Sequence, residues 1–337
     1  MHSFPPLIAQ WYRQNSRSLP WRQTNDPYFI WLSEIIMQQT RVEQGTSYYE
    51  KFTANYPTIT DLANAEEQQI LNDWQGLGYY SRARNLHYSA KLVRDEFNGE
   101  FPKTFNEILK LKGVGTYTAA AISSFAFKEK KAVVDGNVYR LLSRVFDIDT
   151  PIDSSKGQKE FQIVADELIP AEAPDIHNQA IMEVGALVCT PKKPNCEACP
   201  LVNLCLARAN KTIESRPVKS KKTKVRDRFF HFFLYNTDGE TYIEQRTEKG
   251  IWQNMFQFPL VEIESKNIDS VKNQWEDQWK ESSEIIHKLS HQTIHGVFHH
   301  FDSTPKSISN SWIKIKMEDI QDYPLPRIID RYLEENS

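Results

Sequence analysis

Residues 111 to 121 read Leu111-Lys112-Gly113-Val114-Gly115-Thr116-Tyr117-Thr118-Ala119-Ala120-Ala121, and no other stretch limits the fold as much. Asn106 to Lys112 can form a short helix, two glycines one residue apart allow a tight turn, and a run of small residues restarts a helix. The pattern is a helix-hairpin-helix. Glycine tolerates positive φ and has no Cβ, so such a hairpin can bring backbone N–H groups against a phosphate at the start of the second helix. A GxG alone fits an ordinary turn between helices equally well. Three other features sharpen it: Asp135 at a predicted helix start, Glu34 inside an apolar helix, and four cysteines downstream.

A chain of 337 residues exceeds one ordinary core, which points to two domains. Up to about residue 210 the apolar spacing is helical, with predicted helices at Pro5–Gln14, Tyr28–Phe52, Ile59–Trp74, Ser81–Phe97, Phe105–Leu111, Tyr117–Phe127, Val138–Phe146, Glu160–Leu168 and Gln179–Val188. Residues 211–228 have linker composition, and 229–337 read as a smaller α/β domain. That domain opens with a predicted hairpin of Phe229–Tyr235 and Thr241–Gln245, continues to a strand at Ser311–Met317, and has predicted helices at Ser270–Trp279 and Ile328–Glu335. No apolar run approaches the roughly 20 residues of a membrane span. The start, Met1-His2-Ser3-Phe4-Pro5-Pro6, lacks the form of a signal peptide, so the expected location is the cytoplasm.

A net charge of −3 hides a local excess: residues 211–230 hold eight Lys/Arg, whereas 231–337 carry 11 basic and 18 acidic side chains. The basic strip reads either as a track for a phosphate backbone or as a solvated linker.

On a 3.6-residue period Glu34 shares a face with Ile30, Trp31 and Met37. A carboxyl held among apolar groups has its pKa raised and can serve as an acid near neutral pH; the alternative is a rim glutamate paired with Arg41 or another cation. The amides of Gln38-Gln39, next to Thr40, need polar partners, which base edges can supply. Trp74-Gln75-Gly76-Leu77-Gly78-Tyr79-Tyr80-Ser81-Arg82 forms a glycine-bracketed turn whose aromatic tips can wedge between bases. Asp135 is a predicted N-cap, an anion fixed where positive charge on a sugar would need it. The cysteines run Cys189-x6-Cys196-x2-Cys199-x5-Cys205, compact enough for tetrahedral zinc or a cubane iron-sulfur cluster. A zinc ribbon usually offers two Cys-x2-Cys knuckles and only one is present, so one [4Fe–4S] cluster per chain is the expectation.

These residues together resemble the helix-hairpin-helix DNA glycosylases, and within them the adenine DNA glycosylase (MutY) branch. The matching pieces are Leu19-Pro20-Trp21-Arg22, Trp31-Leu32-Ser33-Glu34 through Thr40, Gly76 through Arg82, Gly113-Val114-Gly115, Val134-Asp135-Gly136-Asn137, the cysteine loop and the C-terminal extension. The resemblance implies a six-helix barrel with the hairpin, a helical iron-sulfur domain and a Nudix-like C-terminal domain. It implies a monomer acting on double-stranded DNA, flipping out adenine mispaired with 8-oxoguanine or guanine and hydrolysing its N-glycosidic bond. It makes Glu34 the acid toward adenine N7, Asp135 the carboxylate facing the sugar, and Tyr117 and Asn137 its positioning groups. It sets Arg22, Met37, Gln38, Gln39, Thr40, Tyr79, Arg82, the Gly113-Val114-Gly115 hairpin and Glu183 at the DNA.

Strand-cutting glycosylases of this fold carry a lysine where Tyr117 stands, which implies a monofunctional enzyme and argues against the endonuclease III branch. In the extension, Lys249 through Pro259 resembles the family's Gly/Trp/Phe-Pro strand, and Leu289-Ser290-His291 resembles its lesion-probing loop, usually Phe-Ser-His. Leucine replaces the aromatic, leaving Ser290 and His291 as the polar contacts. No Nudix pyrophosphatase signature occurs between Ile251 and Glu284. Two other classes compete: a non-catalytic DNA-binding protein, which the presence of both Glu34 and Asp135 disfavours, and a zinc-stabilised helical scaffold.

Overall fold

The computed structural model describes residues 3–220, 225–264, 284–289 and 291–336, with backbone alone at 280–281. The predicted helix at Ser270–Trp279 and the Ser290 site lie outside the described residues. Helices run in the order α1 (Phe4–Asn15), α2 (Pro27–Ile36), α3 (Val42–Asn55), α4 (Ile59–Asn64), α5 (Glu67–Asp73), α6 (Ser81–Glu96), α7 (Phe105–Ile108), α8 (Thr116–Phe127), α9 (Gly136–Val145), α10 (Ser155–Leu168), α11 (Pro174–Leu187) and α12 (Leu206–Ala209). Contacts divide the chain into two compact units, Met1–Asn64 with Tyr88–Lys222, and Ala65–His87 with Thr223–Ser337. By these contacts α5 and the first turns of α6 group with Thr223–Ser337. None of the helices is long and apolar enough to cross a membrane among the described residues.

Local chemistry sets most of the helix starts. Asp26 accepts from the Tyr28 N–H with Pro27 in the first turn, Thr104 and Glu107 form a capping box, and Ser154 caps α10 through the Gly157 N–H. α2 is apolar nearly all round and so is buried within the first unit. Leu32 and Ile36 are fully buried, each contributing about 2 kcal/mol. The small side chains of Ala119, Ala120 and Ala121 let α8 pack against it. A second cluster joins Phe4 and Ile8 of α1, Leu141 and Leu142 of α9, Phe161 of α10 and Ile181 and Val184 of α11.

Two predicted helices prove to be pairs. Tyr28–Phe52 breaks between α2 and α3, where Gln39 takes φ +56° and Arg41 is extended at the next N-cap. Ile59–Trp74 breaks between α4 and α5 at Glu66, again extended. Apolar periodicity continues across both breaks, so the pattern alone conceals them.

The second unit holds β1 (Arg226–Tyr235), β2 (Glu240–Gln245), β3 (Phe256–Gln257), β4 (Leu260–Ile263), β5 (Lys280–Glu281), β6 (Ile285–Lys288), β7 (Gln292–Phe301), β8 (Trp312–Lys316) and α13 (Arg327–Asn336). One sheet has the order β4-β1-β7-β5, with β6 also on β7; the other is β3-β2-β8. The predicted hairpin is thus corrected: β1 pairs in parallel with β7, from Arg226↔Gln292 to Tyr235↔Phe301, while β2 pairs with β8 in the other sheet. β1 is buried along its last six residues and needs a partner on each edge, which a lone hairpin cannot supply. α13 packs Ile328, Ile329 and Tyr332 inward, and Gly296 of β7 admits it: a Cβ there would stand 2.6 Å from Ile328 Cδ1.

The expected linker is also partly structured. Residues 211–220 are tied to the first unit by Ile152 N–H to Val218 O at 3.0 Å, Ser220 N–H to Asp153 Oδ1 at 2.9 Å and an Arg216–Asp147 ion pair at 3.0 Å. Arg228 already lies in β1 and is bound to Glu262. Two cations of the basic strip are therefore neutralised within the fold.

Candidate active site

Glu34 sits on α2 in a cavity of about 360 Å³ lined by Trp21, Arg22, Ile30, Phe125 and Met182 among others. Burial pushes its carboxyl up to about 7, a hydrogen bond from Tyr117 opposes that shift, and the charge of Asp135 adds to it. The Tyr117 hydroxyl lies between this carboxyl and Met182 Sδ, 3.5 Å from the sulfur. Among the described contacts of Glu34 the hydrogen-bond partner is Tyr117, and the nearby cation that lowers its carboxyl is Arg22 rather than Arg41.

Asp135 caps α9. Its Oδ1 accepts from the N–H groups of Asn137 and Val138 at 2.9 and 2.8 Å, and its Oδ2 from Asn137 Nδ2 at 2.8 Å. Burial raises the carboxyl above the ordinary aspartate range, and these donors together with Arg140 pull it back. Every one of these partners favours the anion. Arg140 Nη2 donates to Asn137 Oδ1 at 2.9 Å and to Gly185 O at 2.6 Å, while its Nε donates to Cys189 O at 2.6 Å. Gly185 makes room for this: a Cβ would lie 2.8–3.0 Å from Asn137. The carboxylate is thereby braced against the start of the cysteine loop. Sequence reasoning passed over Arg140, although its place one turn after Asn137 on the same helix face was a signal.

The four cysteines line one pocket together with Arg144 and Val202. Arg144 donates to Cys189 Sγ at 3.4 Å and to the carbonyls of Thr190 and Pro191 at 2.8 and 3.0 Å. Four sulfurs lining one pocket, with the buried Arg144 guanidinium there to balance the charge that thiolate ligands carry, fit an iron-sulfur cluster.

Arg17 and Arg22 grip Glu183 of α11 in a fork, with Arg17 Nε and Nη2 at 2.9 and 2.8 Å and Arg22 Nη1 and Nη2 at 3.0 and 2.7 Å. Burial would raise the Glu183 carboxyl, but the two guanidinium groups outweigh it and hold it at about 2. Glu183, set at the DNA by resemblance, is thus corrected to a buried anchor for the segment before α2, and Arg22 is committed to it. Arg17 was missed from sequence because its partner lies more than 160 residues away. Glu183→Ala is expected to cost about 3 kcal/mol, read by thermal unfolding. The depressed pKa means this stabilisation is present above pH 4.5 and lost as pH falls toward 2, so the variant should lose less stability over that range.

The other predicted contact residues are dispersed. Gly113 takes φ +81°, whereas Gly115 is extended at the α8 N-cap position with nothing within 4 Å of where a Cβ would be, and Val114 is buried. The hairpin thus offers open backbone at a helix N-terminus. Gln38 Nε2 reaches Thr118 Oγ1 at 3.4 Å, Thr40 bonds Gln38 O, and Gln39 is exposed; Met37 packs over Gly45. In the second unit Tyr79 is 38% exposed and lines a cavity of about 610 Å³ with Arg84, Arg226, Trp252, Leu289 and His291. Arg82 is corrected: it is buried under that turn, donating to Leu77 O and Gly78 O over the Trp74 ring.

Family models match in three places: the HhH-GPD superfamily base excision DNA repair protein over 32–166, the iron-sulfur binding domain of endonuclease III over 189–205, and the NUDIX domain over 230–335. An adenine DNA glycosylase of Buchnera aphidicola subsp. Schizaphis graminum (strain Sg) is 33% identical over 346 residues, covering 99% of this chain and 99% of its own. The chain belongs to the adenine DNA glycosylase family. The human adenine DNA glycosylase is 40% identical over 215 residues, 61% of this chain and 39% of the human one. A thermostable thymine-DNA glycosylase of known structure is 31% identical with a TM-score of 0.58, over 62% of this chain and 96% of its own. As a family member the chain is a DNA N-glycosylase of base excision repair, with a helical HhH-GPD fold and a C-terminal Nudix domain. Cys189, Cys196, Cys199 and Cys205 hold its [4Fe–4S] cluster.

Proposed function

We propose that this enzyme removes adenine mispaired with 8-oxoguanine or guanine from duplex DNA, by hydrolysis and without cutting the strand. The observation that carries the reading is a buried carboxyl, pushed up to about 7 and hydrogen-bonded by Tyr117, that feels the charge of a second carboxyl receiving only donors. In this mechanism the adenine, flipped because its glycosidic bond is shielded in the stack, enters the Glu34 cavity. Glu34 gives its proton to N7, and the C1′–N9 bond breaks with its electron pair leaving on the base. The Asp135 carboxylate then faces the cationic sugar until water, losing a proton to Glu34, adds at C1′. Tyr117 holds the Glu34 carboxyl and offers no amine for a Schiff base. When bound, the [4Fe–4S] cluster would tie Cys189, just after α11, to the loop through Cys205, and Arg140 links Cys189 O and Gly185 O to Asn137 Oδ1, whose amide meets Asp135.

Reading of the opposite base falls to the second unit. Its cavity brings Tyr79 together with Leu289 and His291, residues more than 200 positions apart, and adds Arg84 and Arg226 for phosphate. Base release on duplexes with adenine opposite 8-oxoguanine, guanine and thymine tests the whole scheme. Release is expected opposite the first two, with strand breaks appearing only after alkali. Breaks without alkali, together with a borohydride-trapped adduct, would refute the monofunctional assignment, and equal release opposite thymine would refute the mispair specificity.

A further inference from the structure

The turn from Gln75 to Tyr80 has an unusual backbone: Gly76, Gly78 and Tyr79 take φ of +92°, +73° and +49°. A tyrosine in the left-handed region persists only where its surroundings over-determine it. Within the second unit the restraints come from two sides. On one side, Trp74 Nε1 donates to Gly78 O at 3.1 Å and Arg82 Nη2 to Leu77 O and Gly78 O at 3.3 and 3.1 Å. On the other, Gln75 Nε2 donates to Asp330 Oδ1 at 2.7 Å, and the Tyr80 hydroxyl accepts from the Gly76 N–H at 3.3 Å and donates to Leu325 O at 3.4 Å.

Asp330 is out of place by the rules of core packing. It lies on α13 beside the buried Ile328, Ile329 and Tyr332 and is itself only 5% exposed. A buried carboxylate is costly unless a hydrogen bond offsets the lost water, and an apolar residue would pack this face more stably. What the carboxylate does provide is an acceptor at the base of the turn that carries Tyr79. The ring of Tyr79 in turn lines the cavity that holds Leu289 and His291.

We propose that Asp330 is a positioning residue for reading the base opposite the adenine: through Gln75 it sets where the Tyr79 ring stands in the cavity shared with His291. This rests on the reading of that cavity as the opposite-base site. Gln75 is the near end of the clamp and Asp330 the far end. The C-terminal helix therefore takes part in discrimination without touching DNA.

The test compares kcat/KM for adenine opposite 8-oxoguanine with that opposite guanine, in the full-length protein carrying its cluster. Asp330→Ala and Gln75→Ala are each expected to reduce the preference about tenfold, and the double variant no further. Asp330→Asn, which keeps the acceptor, should retain the wild-type preference. Release opposite guanine under single-turnover conditions should stay within about twofold in all of them, since Glu34 and Asp135 are untouched. A preference unchanged in both alanine variants would overturn the proposal, as would an equal loss opposite both bases. Gln75→Ala, in the turn, carries the test alone should Asp330→Ala not fold. Tyr79→Ala separates the underlying reading: if it leaves the preference intact, the cavity is not the opposite-base site, whatever the clamp variants do.

Discussion

Glu34→Gln is expected to slow single-turnover release of adenine by about a thousandfold or more, the range for loss of a general acid. Glutamine keeps the size of the side chain and can still meet the Tyr117 hydroxyl, so cavity and fold survive while the transferable proton is gone. The pH dependence follows from burial. With the folded pKa near 7, the competent protonated form prevails below that value, and kcat falls as pH rises through it. The stability sign runs the same way. A carboxyl raised from 4.5 to about 7 favours the fold when neutral, a contribution present below pH 4.5 and lost as pH rises through 7. Glu34→Gln should therefore be more stable than wild type at pH 8, so a catalytic group is held at some cost to the fold. A pH–rate profile flat through 7 in the wild type, or a variant of unchanged rate, would sink the assignment.

Asp135→Asn should be nearly as damaging to rate, by about a thousandfold, for an electrostatic reason. The asparagine Oδ1 still accepts from the Asn137 and Val138 N–H groups, so α9 stays capped, but its amide nitrogen now faces the Asn137 Nδ2 donor in place of Oδ2. The expected loss of stability is about 1 kcal/mol, whereas Asp135→Ala loses the cap as well. Thermal unfolding and single-turnover rates on the two variants separate cap from anion. Near-wild-type excision by the asparagine variant would show that the negative charge does not act on the sugar.

Much of the site was legible in the chain because its signals are local. An N-cap is read from an aspartate before a helical pattern, and Asp135 does cap α9. The cysteine quartet is one short loop, and Gly113 does take the positive φ that its place in the hairpin predicts. Glu34 was legible only as a choice between an acid in a pocket and a rim carboxylate, since helical periodicity gives the face and not what covers it. The covering comes from α8 and α11, which contribute Tyr117 and Met182. The burial of Glu183 and Arg82 was not legible for the same reason: the resemblance set both at the DNA, and the groups that hold Glu183 come from far along the chain.

What the sequence determined by itself is whatever a few consecutive residues decide: helix starts, the hairpin turn, the cluster ligands and an aspartate placed to cap a helix. What only the tertiary structure decided is who meets whom across the chain. That includes the parallel pairing of β1 with β7, the grip of Arg17 and Arg22 on Glu183, the reach of Asp330 to Gln75, and the pKa of Glu34. The division is physical. Capping and turn preferences act within about one turn of backbone, whereas desolvation and charge pairing depend on which distant groups exclude water from a given atom.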